Sequence, residues 1–74
     1  MLDTLIKNLL KEGFQIWFTG KDTFDVMDFH YIRVFVNIKK GEGRKVLTKD
    51  VNAEEWTTHK SQKDALTWIL NNYK

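Results

Sequence analysis

His30-Tyr31-Ile32-Arg33-Val34-Phe35-Val36-Asn37-Ile38, then Lys39-Lys40-Gly41-Glu42-Gly43, then Arg44-Lys45-Val46-Leu47-Thr48-Lys49-Asp50-Val51, is the stretch on which the fold turns. Ile32, Val34, Val36 and Ile38 alternate with Tyr31, Arg33, Phe35 and Asn37. Side chains of an extended chain point to opposite faces at a period of two, so this pattern predicts a strand with one apolar face. Gly41 and Gly43 offer the positive backbone φ that a tight reversal needs, so residues 44–51 are expected to return as its antiparallel partner. The register of that returning arm stays open. Val46 and Thr48 in the core would leave Lys45, Leu47 and Lys49 on the other face, whereas the opposite choice buries Leu47 and Val51.

Toward the N-terminus, Phe14, Ile16 and Phe18 alternate with Gln15, Trp17 and Thr19 and stop at Gly20, which predicts another strand. Before it, Leu2, Leu5, Ile6, Leu9 and Leu10 recur at the spacing that gathers apolar groups on one helical face, with Asp3 near the start and Gly13 able to end the helix. Toward the C-terminus, Ser61 with Asp64 resembles a capping box. Ala65, Leu66, Ile69, Leu70 and Tyr73 form the stripe of a closing helix, which Trp68 widens. Residues 21–28 read as a long connection or a frayed strand extension, with Phe24, Val26 and Met27 available for packing. Residues 52–60 read as a turn or short irregular segment, with the Trp56 indole folded back. The expected fold is α+β: helix, three-stranded antiparallel sheet, helix (αβββα). It forms a single alpha-beta sandwich domain over residues 1–74, with both helices on one sheet face.

Composition narrows the function classes. The chain has 74 residues, and a domain of that size buries only about 60% of the surface its unfolded chain exposes. Nearly every apolar residue is needed to close one core, and little chain is left for an active-site scaffold. The absence of cysteine removes disulfides, thiolate zinc sites and cysteine nucleophiles, and agrees with a reducing compartment. No apolar run has the length of a membrane span, and the first residues lack a secretory pattern. A cytoplasmic location is therefore expected.

Catalytic and metal motifs find little purchase. Ser61 is the sole serine, and its position is that of a helix cap. His30 and His59 are far apart with no thiol to complete a ligand set, and the spacing of Asp22, Asp25 and Asp28 is not that of a calcium loop. Gly41-Glu42-Gly43-Arg44-Lys45 joins two strands rather than opening a helix, so it is no P-loop. No enzyme, cofactor or metal is expected.

Binding is better supported. If the apolar sides of the strands meet the helices, alternation sends Trp17, Tyr31, Arg33 and Phe35 to the uncovered sheet face. Exposed rings rimmed by polar groups mark docking surfaces, although aromatic cross-strand pairs also stabilise a sheet without binding anything. Twelve Lys plus Arg against ten Asp plus Glu give a formal charge of +2, which hides two opposed patches. Lys39, Lys40, Arg44, Lys45 and Lys49 crowd the hairpin, while Asp22, Asp25 and Asp28 crowd residues 21–28.

Two family resemblances follow from particular residues. Leu5-Ile6 on the opening helix, Gly20-Lys21-Asp22 after the first strand and Ile32-Arg33-Val34 in the second are similar, over about fifty residues, to small phage-encoded anti-CRISPR proteins that inhibit type II Cas9. Those proteins present carboxylates that imitate DNA phosphates. The resemblance implies that role for Asp22 and, by proximity, for Asp25 and Asp28. The element order, with His30, Lys60 and Lys63, also resembles the double-stranded RNA-binding domain, whose last helix places lysines on phosphates. The sequence-level expectation is a non-enzymatic, phage- or prophage-borne binding protein. It would modulate a host protein through Trp17, Tyr31, Arg33 and Phe35, oriented by Asp22, Asp25 and Asp28. The alternative is a nucleic-acid module using Lys39, Lys40, Arg44, Lys45 and Lys49. A monomer or weak homodimer is expected.

Overall fold

The computed structural model describes residues 2–30 and 32–74. Helix α1 spans Asp3–Lys11 and buries Leu5 and Leu9. It ends as the glycine predicts: Gly13 takes φ +98°, its N–H donates to Leu10 O, and Phe14 N–H donates to Leu9 O. This paired capping satisfies two terminal carbonyls and aims the chain into the sheet.

Five strands follow, and the expectation of three is corrected. They are β1 Gln15–Phe18, β2 Thr23–Met27, β3 Val34–Lys40, β4 Val46–Asp50 and β5 Thr57–His59. They lie in chain order, each antiparallel to the next. Strand β2 occupies the segment read as a connection or a frayed extension. Phe24 and Val26 are buried while Thr23, Asp25 and Met27 alternate with them. The Asp25 carboxylate hides this period in the sequence. It is tolerated because it faces Asn37 across the ladder and accepts from Asn37 Nδ2 at 2.8 Å. Strand β5 lies within the segment read as irregular, because only three residues pair and two of them are threonines.

Helix α2, Gln62–Tyr73, starts where the capping pattern places it, with Ser61 Oγ accepting from Asp64 N–H. Its Ala65 and Ile69 share one core with Leu5 and Leu9 of α1 and with Phe24, Val26, Val36, Ile38 and Val46 of the sheet. Both helices therefore cover the same sheet face. The open register choice resolves to Val46 and Thr48 inside, with Leu47 and Lys49 on the opposite face by alternation.

The largest departure from simple alternation lies in β3. Val36 pairs with Val26, yet Val34 pairs with Met27, so the register shifts between Val26 and Met27. The extra residue, Phe35, forms a β-bulge that keeps it on the helix side with Val36 and turns Val34 to the open face. Phe35 meets Phe14 edge-on at 6.0 Å and stacks on Tyr73 at 5.6 Å between centroids. Tyr73 is fixed in turn by donating its hydroxyl to Asp50 Oδ2. That bond, with the Asn52 N–H, holds the Asp50 carboxyl below its ordinary range. Burial and the same carboxylate raise the phenol above its own.

Ile32, expected in the core, is 81% exposed, because β3 begins only after it. Phe18 and Leu10, also expected inside, are 61% and 47% exposed at the periphery. Phe35→Ala is expected to cost about 2–3 kcal/mol of stability, a half-buried fraction of a core aromatic truncation. Ile32→Ala should stay within about 0.5 kcal/mol. Thermal melts of the two variants distinguish this arrangement from unbroken alternation, which demands the reverse order.

One core position titrates. His59 is buried, its Nε2 lies 2.7 Å from Thr48 Oγ1, and its ring leans on Trp68. Burial depresses its pKa below 6.5, partly offset by Asp64. The unfolded chain therefore takes up the proton more readily, so stability is complete above that ordinary value and declines as pH falls through it. The urea midpoint is expected to drop between pH 7.5 and pH 5, and His59→Gln should flatten that drop. Equal midpoints in the wild-type chain would show that the imidazolium is accommodated without cost.

Candidate functional site: an open sheet face and a basic recess

Strand pairing sorts the uncovered face into three rows. Gln15, Met27 and Val34 form one, Trp17, Asp25, Asn37 and Lys49 the next, and Thr23, Lys39, Leu47 and Thr58 the third. Trp17 is 59% exposed and, with Asp25, Met27 and Val34, lines a shallow recess of about 320 Å³. Trp56 is folded back as expected, with Lys39 Nζ 4.2 Å from its ring centroid. The face thus has an apolar end around Trp17 and a cationic end around Lys39 and Lys49.

Of the four anchors expected from the sequence, Trp17 stands on this face. Phe35 does not, because the bulge turns it under the helices. Arg33 precedes β3, is exposed, and lays its guanidinium 5.4 Å from the Phe35 centroid. Tyr31 lies outside the described residues. Met27 and Val34 replace the missing anchors. Sequence reading places Val34 in the core, and only the bulge, which leaves no periodic signal of its own, reverses it.

The three acids do not gather. Asp22 is exposed and lines a separate recess of about 220 Å³ with Ile6, Phe18 and Phe24. Asp25 is bound to Asn37. Asp28 closes its own loop, accepting from Ile32 N–H at 2.8 Å and Arg33 N–H at 3.2 Å. The Ile32 amide leads the causes that lower its pKa. Strand β2 separates Asp22 from Asp28 by about 20 Å of extended chain, so no continuous carboxylate row exists.

The five cations also divide. Lys39 and Lys49 face the open side, Lys49 Nζ donating to Ala53 O at 3.0 Å. Lys40, Arg44 and Lys45 instead border a recess of about 390 Å³ together with Lys63, Ser61, Gln62 and Thr4. Lys63, noted in the sequence only through the RNA-binding-domain resemblance, completes that group.

Among the described residues, no three His, Asp or Glu side chains are grouped to hold a metal ion. No described helix is long and apolar enough to cross a membrane. The five strands depart from the helix, three strands, helix order on which the RNA-binding-domain likeness rests. Comparison with protein-family models, curated proteins and solved structures finds no match.

Proposed function

We propose that this chain is a non-enzymatic, cytoplasmic binding module that docks the Trp17 end of its open sheet face onto a host protein and modulates it by occupying that surface. The observation that carries this reading is the exposed Trp17 indole beside the recess lined by Met27 and Val34. Removing the remaining exposed ring surface from water supplies roughly 3 kcal/mol. A purely structural role for the ring has less support. Cross-strand pairs contribute about 0.2–1 kcal/mol, and the residue directly opposite Trp17 is Asp25, which is occupied by Asn37.

Asp25 in the recess also disfavours a phosphate backbone there, and Lys39 covers the Trp56 ring against which a base would stack. A nucleic-acid module spread over the whole hairpin has less support, because its five cations point to two different surfaces. The anti-CRISPR resemblance adds the expectation of a phage-borne protein whose partner is a host factor it blocks.

The test compares capture of host-lysate proteins by the wild-type chain and by Trp17→Ala and Val34→Asp variants, with thermal melts alongside. Trp17→Ala is expected to leave the chain folded, at a stability cost of no more than about 2 kcal/mol for the two-fifths of the ring already covered, and to weaken the captured partner at least thirtyfold, as an interface anchor does. Affinity should change less than about threefold between 50 and 200 mM salt, in contrast to a phosphate-dominated complex. Undiminished capture by a folded Trp17→Ala variant would sink the reading.

A further inference from the structure

We infer that the recess between the β3–β4 turn and the N-terminal ends of both helices is a binding site for phosphate-bearing anions. It is independent of the Trp17 surface. Three cations of one hairpin, Lys40 at the end of β3 and Arg44 and Lys45 in the turn, are joined there by Lys63 from the first turn of α2. No carboxylate lines the recess, and none of the four is in an ion pair among the described residues. Asp3, between the lining residues Leu2 and Thr4, Glu42 in the turn and Asp64 beside Lys63 are the acids nearest in sequence, and all three stay outside the lining. Four like charges around one cavity repel each other, and a multivalent anion relieves that repulsion.

The walls are built for an anion as well as charged for one. Lys40 Nζ is held by Gly41 O at 3.3 Å and Gly43 O at 3.2 Å, so its ammonium is positioned at the turn. Gly43 adopts φ +59°, the left-handed conformation a glycine takes at no steric cost, and lines the recess. Ser61 Oγ accepts from Asp64 N–H, leaving its own hydrogen to donate. Gln62 Oε1 accepts from Leu5 N–H at 2.8 Å, fixing the start of α2 against α1 and hence the width of the recess. Thr4 adds a further hydroxyl to the lining. The shared chemistry is a phosphate group with at least two negative charges, carried by a free phosphoanion or by a nucleic-acid backbone. A volume of about 390 Å³ accommodates a diphosphate.

Calorimetric titration with inorganic pyrophosphate, and separately with a short RNA duplex, tests this at about 50 mM salt. Saturable binding is expected, weakened roughly tenfold or more by Arg44→Gln and by Lys63→Gln, since each removes a charge-assisted contact. Lys7→Gln and Lys39→Gln remove the same charge elsewhere and should change affinity less than about twofold. Binding of the duplex but not of pyrophosphate, with this residue dependence, identifies a backbone phosphate as the ligand and supports the site. Equal weakening by all four substitutions, or no saturable binding of either probe, overturns it.

Discussion

Two residues of β3 stand opposite one residue of β2, and the faces of this molecule are allotted by that mismatch. With Val36 paired to Val26 and Val34 to Met27, Phe35 becomes the residue that the ladder does not count. A bulge of this kind keeps two consecutive side chains on one face and increases local twist. Here it delivers Phe35 to Phe14 and Tyr73, joining the start of β1 to the last turn of α2. The far end of α2 packs against the sheet through this aromatic contact, and the Tyr73 hydroxyl bound to Asp50 anchors it to β4. Without the extra residue, alternation would send Phe35 to water and pull Val34 under the helices.

The same mismatch shapes the open surface. Val34 joins Met27 and Trp17 there, so the apolar recess exists because β3 changes phase. Beyond the bulge the phase is regular, and the remainder of the face is mostly polar, with Asn37 on Asp25, then Lys39, Lys49 and Thr58, and Leu47 as the apolar residue between Lys39 and Thr58. A sheet face without a helix over it must stay compatible with water over most of its area. The polar rows meet that requirement, which leaves a small apolar end for docking rather than a broad aromatic field.

Much of the secondary structure was legible in the residues, and the failures have physical causes. Strong helical spacing in Leu5, Leu9, Ala65 and Ile69, the Ser61 cap and the Gly13 terminator all act locally, so they can be read locally. Strand β2 obeys a period of two but carries Asp25 at its centre. A charge in a strand is tolerated only when a partner such as Asn37 lies across the ladder, and that partner is invisible before pairing is known. Strand β5 is three residues long and borrows its stability from β4, so composition gives no sign of it. The bulge is a property of two strands together, which is why simple alternation puts Val34 and Phe35 in the opposite environment from the one they occupy, while Ile32 misses the core because β3 begins only after it. Trp17, on a strand without such an irregularity, is where alternation puts it.

Charge followed a related rule. Residues 39–49 form one basic run in sequence, but Lys39 and Lys49 share a parity that the β3–β4 pairing sends to the open face. Lys40 sits at the opposite parity, and Arg44 and Lys45 lie in the turn beyond the paired residues. Alternation therefore splits a contiguous run into two surfaces, and the helix start at Lys63 then re-forms a cluster on one of them. Net charge describes neither surface. The positive potential of the recess depends on tertiary structure, because it needs the Leu5 to Gln62 hydrogen bond that sets α2 beside α1 with Lys63 facing the turn. A local field assembled this way is lost on unfolding although every lysine remains in the chain. Phosphate-bearing anions should accordingly bind the native state in preference to the unfolded one and raise its stability by mass action.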